Sequence, residues 1–282
     1  MGHQTIVLAG ALISCMFVGY YLHISSRGST VQQYGGPKSL VPRTAHHRPA
    51  DTGNTNKLST ADSRRTGCID YNDTDIFHGK EQVDKLVMNE FFRGMQNGFF
   101  LEMGAWDGIQ KSTTLVFERH FHWKGILIES NPVSYEKVLV NRPSNTDNIY
   151  AAICPKGKNV LIGGKENRAK THFTEESRES IPCVPMDELL RERKIEHIHF
   201  FSLDVEGVEL DVLKTINFDQ VVIDVFMIEM HERRTPDEHR LVREFLETKG
   251  YNEFVCIHKN YGCKQGKNGN TFYVRVGFTS PC

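Results

Sequence analysis

The chain has 282 residues, enough for one domain of ordinary to large size with accessory segments and too few for two large ones. Its formal net charge of −1 leaves no electrostatic footprint for nucleic acid, so no DNA or RNA partner is expected. Hydrophobic residues make up 39% and charged residues 24%, a globular balance that is distributed unevenly along the sequence.

Thr5 to Leu22 forms an uncharged apolar run of 18 residues, at the lower edge of what spans a bilayer core. Tyr20 and Tyr21 end it, where interfacial aromatic rings are favoured. Residues 1–26 therefore read as a transmembrane signal anchor, with a cleaved signal peptide cut near Ser26 as the alternative. A buried core helix is disfavoured because the polar residues that follow offer it no core. Ile6, where Ser or Thr is needed, rules out a myristoylation signal.

Orientation signals conflict. Arg27, Lys38, Arg43 and Arg48 follow the apolar run and no Lys or Arg precedes it, which by charge alone sets the following chain in the cytoplasm. Cys68, Cys154, Cys183, Cys256, Cys263 and Cys282 argue for an oxidising lumen, with fifteen pairings open. Asn72-Asp73-Thr74 is a glycosylation sequon and points the same way. The expectation is a single-pass membrane protein of the endoplasmic reticulum or Golgi with a lumenal domain.

Residues 27–80 read as a stem, disordered through about residue 66, rich in Ser, Thr, Gly, Pro and basic residues without apolar periodicity. From Gln82, Val83, Leu86, Val87, Phe91, Phe92 and Met95 recur at helical spacing, predicting a helix over 81–96 that Asn97-Gly98 ends. Strands and helices then alternate. Strands are expected over 99–103, 125–129, 149–153, 181–186, 197–203 and 221–230. Helices are expected over 112–121, 132–140, 209–216 and 236–248, with one more after 186 that Asp187 can cap. Strands over 253–258 and 271–276 close the chain as an antiparallel hairpin whose loop Cys256 and Cys263 flank. The alternation implies an α/β domain over 81–282, built on a mostly parallel sheet covered on both faces.

Chemistry-bearing residues collect where strands end, the edge at which open α/β sheets bind ligands. The first strand leads into Glu102-Met-Gly104-Ala105-Trp-Asp107-Gly108, a glycine turn without the dinucleotide G-x-G-x-x-G spacing. An NAD-dependent oxidoreductase is disfavoured on that ground. The second strand ends in Glu129-Ser130-Asn131-Pro132, and an acid there can accept hydrogen bonds from both ribose hydroxyls. The alternative for Glu129 is a solvated strand-end carboxylate. The strand over 197–203 runs into Asp204-Val-Glu206-Gly207-Val-Glu209. Asp204 is the better site candidate, and Glu209 reads as favoured by the helix dipole. His231, after Glu229, is a candidate general base, though a lone His is more often a solvated loop residue. No Cys or His cluster has zinc spacing, and no metal is expected.

In order and spacing, FLEMGAWDG, GILIESNP and LDVEGVELDVL resemble the FkbM-type methyltransferase domain over about residues 82–278. The resemblance implies a class I methyltransferase (Rossmann-like) sheet with an antiparallel last strand. It also implies S-adenosylmethionine as cofactor and O-methylation of a hydroxyl, plausibly on a glycan. By position it implies that Glu102, Gly104, Ala105 and Gly108 contact the methionine part, and that Glu129 binds ribose with Ser130 and Asn131 beside the adenine. It sets Asp204 near the methyl group and its acceptor, with Asp204 or His231 taking the acceptor's proton. Trp106 departs from the family pattern and could narrow the pocket, while the polar segment 159–180 could cover the substrate. The membrane run with NGFFLEMGAWDG is also similar to the membrane-anchored Star-type proteins of animals. That similarity implies an alternative: a non-catalytic protein that assists a client, a growth-factor precursor, from the endoplasmic reticulum toward the Golgi.

Overall fold

A computed structural model describes residues 67–71, 76–79, 82–143, 146–163, 170–174, 181–230, 235–255 and 269–282. All of them lie in one compact unit, Thr60–Cys282. Seven strands build the main sheet: β1 (Phe99–Met103), β2 (Lys124–Glu129), β3 (Thr146–Tyr150), β8 (His197–Leu203), β9 (Val222–Met230), β10 (Tyr251–Phe254) and β11 (Gly269–Arg275). Across the sheet they lie in the order β10-β11-β9-β8-β1-β2-β3. Within this sheet every described pairing is parallel except those of β11, which runs antiparallel to β9 and to β10. This is the α/β class I methyltransferase arrangement that the sequence motifs imply.

The central strands β1, β2, β8 and β9 are mostly apolar and buried because both faces are covered. On one face Phe100, Leu127, Phe200 and Met227 pack with Phe92, Phe117 and Trp123. On the other, Leu101, Ile126, Ile198 and Phe201 pack with Leu189, Val212 and Leu246. Trp123 is fully buried, and its indole N–H donates to the Met95 carbonyl (2.8 Å), so its polar atom is satisfied inside the core.

The helices are α1 (Val83–Val87), α2 (Leu115–Phe121), α3 (Pro132–Asn141), α4 (Met186–Glu192), α5 (Glu209–Leu213) and α6 (Pro236–Thr248). Asn131 caps α3, its side-chain oxygen accepting the Val133 and Ser134 amides, with Pro132 in the first turn. Thr235 and Glu238 form a reciprocal capping box at α6.

Several expected elements differ. The helix expected over 81–96 is α1 followed by a π-helical turn, Met88–Phe92, which keeps its apolar residues on the core. The helix expected from residue 112 begins at Leu115, because Ser112, Thr113 and Thr114 turn to hydrogen-bond Glu102 instead. The strand expected over 149–153 divides: Thr146–Tyr150 pairs with β2, while Ala152–Ile153 (β4) joins a different sheet. That sheet contains β5 (Asn159–Gly163), β6 (Lys170–Thr174) and β7 (Ile181–Val184), in the order β4-β7-β5-β6. The described parts of the polar segment expected over 159–180 are therefore strand. Asp187 does not cap α4; it lies in the first turn behind Pro185, and its carboxylate accepts the Glu188 amide (2.8 Å).

Residues 67–79, read from the sequence as stem, contribute to the folded body wherever they are described. Cys68 pairs by backbone with Met95, Ile69 N–H donates to Gly94 O (2.9 Å), and Phe77 is buried in the core. A few apolar residues in a polar stretch suffice because a covalent link holds them. Disulfides join Cys68 to Cys282 (Cα–Cα 6.0 Å) and Cys154 to Cys183 (Cα–Cα 5.0 Å). The first ties together positions 214 residues apart in sequence, at the two ends of the described body. The second holds the exit of β4 to β7. The expected anchor, the Asn72 sequon, His231 and the Cys256–Cys263 loop lie outside the described residues. Among the described residues no helix is long and apolar enough to cross a membrane.

Candidate functional site

β1, β2 and β8 are adjacent and parallel, so their C-terminal tips meet at one edge. Gly104 is the junction. Its φ is +80°, and a Cβ there would sit 1.8 Å from the backbone oxygen of Asp204. Only glycine lets the β1 turn pass so close to the β8 tip. The Gly104 amide donates to Ile128 O (3.0 Å), and the Asp204 amide donates to Met103 O (3.1 Å), which stitches all three tips together.

Glu129 ends β2, buried, with its carboxylate turned to the β1 turn. It accepts the Trp106 amide (2.7 Å) and the Asn131 amide (2.7 Å), one on each oxygen. Burial pushes its carboxyl above the ordinary carboxylate range, and the Asn131, Trp106 and Ser130 amides pull the other way. Each oxygen keeps a second lone pair, so two further donors can be accepted. Ser130 lies beside it, half-buried, and the Asn131 side chain is held by the α3 cap.

Glu102 is also buried, but its partners are internal. Its carboxylate accepts Ser112 Oγ (2.7 Å), Thr113 N (3.2 Å) and Thr114 Oγ1 (2.5 Å). Arg142, at the end of α3 and 1% exposed, lies 3.9 Å from Glu102 and is hydrogen-bonded to Glu118. The same guanidinium donates to Gly108 O (3.0 Å), Ser112 Oγ (3.2 Å) and Thr114 Oγ1 (3.3 Å). Glu102 thus shapes the turn carrying Gly104, Ala105 and Gly108. Asp107 adds to this by accepting the Ile109 (2.9 Å) and Gln110 (2.7 Å) amides. Sequence reasoning missed Arg142 and Glu118: a basic residue ending a helix reads as a solvated dipole partner, and nothing local marks it as buried.

Opposite this turn the cleft is acidic. Asp204 at the β8 tip, Glu206 beyond it and Glu229 on β9 bring carboxylate oxygens within 4.8 Å of one another. Glu209 is fully buried, and its Oε1 accepts the Val205 (3.2 Å) and Gly207 (3.4 Å) amides, so it braces the turn that presents Asp204 and Glu206. Glu229 is visible in the sequence as a strand-end acid, but its place beside Asp204 depends on the β8–β9 register, Leu203 opposite Ile228. Gly104, Trp106, Lys111, Asp204, Glu229 and Asn270 are among the residues lining the cleft, which encloses a cavity of about 50 Å³. That is room for a few waters.

At the opposite sheet edge, His197, His199 and Asp224 also lie close together. Each of the three is already hydrogen-bonded within the protein. Asp224 accepts Arg275 (2.9 Å) and pairs with His197 (2.7 Å), and His199 Nδ1 accepts the Phe99 amide (3.0 Å). Burial, with His197 alongside, lowers the His199 pKa to about 4, so that ring is neutral at physiological pH.

The sequence matches the methyltransferase FkbM domain over residues 102–253, more than half of the chain. No curated protein matches it. Among solved structures, the FkbM methyltransferase of Methylobacillus flagellatus KT is 11% identical, with a TM-score of 0.42 over 63% of this chain and 43% of that one. The chain thus spans less than half the length of that protein. Aeropyrum pernix fibrillarin, solved with natively bound S-adenosyl-L-methionine, is 13% identical, with a TM-score of 0.39 over 64% of this chain and 66% of that one. M. jannaschii TYW2 in complex with AdoMet is 13% identical, with a TM-score of 0.36 over 69% and 75%. These structural likenesses are remote, and the family match is one of sequence.

Proposed function

The chain belongs to the FkbM methyltransferase family, and from that premise we propose that it binds S-adenosylmethionine at the β1–β2–β8 edge and methylates a hydroxyl group. The observation that carries the reading is Glu129. It is a buried carboxylate at the tip of β2, held by the Trp106 and Asn131 amides and able to accept two more donors, as a ribose diol requires. Gly104, Ala105 and Gly108 supply the close-approaching turn, and Ser130 and Asn131 flank the nucleoside side. The cofactor supplies a methyl carbon activated by a sulfonium. The protein's part is to orient the acceptor oxygen in line and to accept its proton. Asp204 takes that proton, with His231 as the second candidate. A hydroxyl on a glycan is the acceptor class that fits the compartment proposed below.

Binding tests this directly. Calorimetry on the full-length chain should detect S-adenosylmethionine, and Glu129→Gln should weaken it roughly tenfold or more, the effect of losing a charge-assisted hydrogen bond. No heat from the unsubstituted chain at millimolar S-adenosylmethionine ends the reading.

The similarity of the apolar run and the NGFFLEMGAWDG segment to membrane-anchored Star-type proteins favours a second reading, in which the fold serves a client membrane protein in trafficking without turnover. Under it, Glu129→Gln leaves cellular function intact.

The disulfides Cys68–Cys282 and Cys154–Cys183 support a lumenal or extracellular domain, carried behind a membrane segment at residues 5–22. Thiol alkylation of native protein should leave these four cysteines unlabelled; labelling of all four would move the domain to the cytosol.

A further inference from the structure

The cleft is electrically divided. Asp204, Glu206 and Glu229 stand on the β8 and β9 tips. Across from them, Lys111 is the one cation among the described residues lining the cleft. It is exposed at the mouth, with its ammonium 5.5 Å from the centroid of the Trp106 ring. That indole carries an anomaly. Its Nε1–H is buried and has no hydrogen-bond partner among the described residues, whereas the indole N–H of Trp123 is satisfied. Buried donors without an acceptor are rare in folded proteins, and each calls for an explanation. Both Trp106 and Lys111 are also among the eight described non-glycine residues with a positive φ. Trp106 (φ +50°) and Lys111 (φ +64°) are both left-handed without being glycine, a conformation that costs energy and gathers at ligand sites.

We infer that Trp106 and Lys111 form a clamp for a carboxylate, with the indole N–H on one oxygen and the ammonium on the other. The inference rests on the cofactor reading above and assigns the clamp to the carboxylate at the amino-acid end of S-adenosylmethionine. That end is zwitterionic. Its carboxylate belongs on the cationic side of the cleft, and its ammonium and sulfonium belong toward the acids on the β8 and β9 tips. The alternative orientation sets the carboxylate against Asp204 and Glu229, where like charges repel. A carboxylate oxygen also supplies the acceptor that the buried indole donor lacks.

The test compares two probes on the full-length chain by calorimetry: S-adenosylmethionine and 5′-methylthioadenosine, which keeps the nucleoside and lacks the amino-acid end. Lys111→Met and Trp106→Phe should each weaken S-adenosylmethionine about tenfold, the loss of one charge-assisted bond, and leave 5′-methylthioadenosine within about twofold. Lys111→Arg should restore S-adenosylmethionine binding. Equal weakening of both probes, or of neither, overturns the clamp while the cofactor site stands. Failure of both probes on the unsubstituted chain overturns the cofactor reading itself. If Trp106→Phe does not fold, the Lys111 pair decides alone.

Discussion

Replacing Arg142 with methionine should destabilise the domain by about 3–5 kcal/mol, the cost of breaking a buried ion pair from one side. Arg142 is 1% exposed and is the counter-charge for two buried carboxylates, Glu118 at hydrogen-bond distance and Glu102 at 3.9 Å. The guanidinium also reaches Gly108 O, Ser112 Oγ and Thr114 Oγ1, and its Cζ lies over the Phe100 ring, 5.6 Å from the centroid. Methionine fills much of the volume, so the loss reports charge and hydrogen bonding more than a cavity. Guanidinium unfolding measures it. Adding Glu118→Gln to Arg142→Met should recover part of the loss, because the second change removes one of the stranded charges. A single-variant loss below about 1 kcal/mol would mean that water reaches these groups and that the network is an ordinary surface one. The functional consequence is larger than the stability figure suggests. Arg142 and Glu102 hold the Gly104–Thr114 turn, so a variant that still folds should bind S-adenosylmethionine more weakly without touching it.

Gly104→Ala should cost about 2–5 kcal/mol. Roughly 1–2 kcal/mol of this is the left-handed backbone, and roughly 1–3 kcal/mol is overpacking against a neighbour that cannot rotate away. The neighbour is the Asp204 carbonyl, 1.8 Å from the new methyl carbon, and that carbonyl belongs to the chain between two parallel strand tips. Relief requires β1 to part from β8 at the edge where the site is built. Gly250 separates the two contributions. It has φ +81°, and a Cβ there would meet nothing within 4 Å, so Gly250→Ala should show the backbone cost alone. Thermal unfolding of the two variants gives the difference. Equal losses would show that the β1 and β8 tips move apart easily and that the close contact is not a structural constraint.

Much of this was legible from residue order. The five residues of β1, the acid ending β2 and the apolar β9 are local patterns, readable because period-two and continuous apolar runs follow from how a strand meets two covered faces. Capping was readable where the cap is local, as with Asn131 before Pro132, and misread where proline preceded Asp187. Glu102 was legible as a turn acid, but its partners Ser112, Thr114 and Arg142 were not, because they come from up to 40 residues further along the chain.

The sequence by itself determined that strands and helices alternate, that a glycine turn follows the first strand and that an acid ends the second, since each depends on backbone geometry within a few residues. Only the tertiary structure decided which cysteines bond, that residues near Cys68 belong to the folded body, that Arg142 is buried and that Glu229 stands beside Asp204. Those outcomes depend on pairing and burial between distant segments. A side chain's charge, donor or thiol is written in the sequence, but the partner that satisfies it is fixed only when the sheet sets its register.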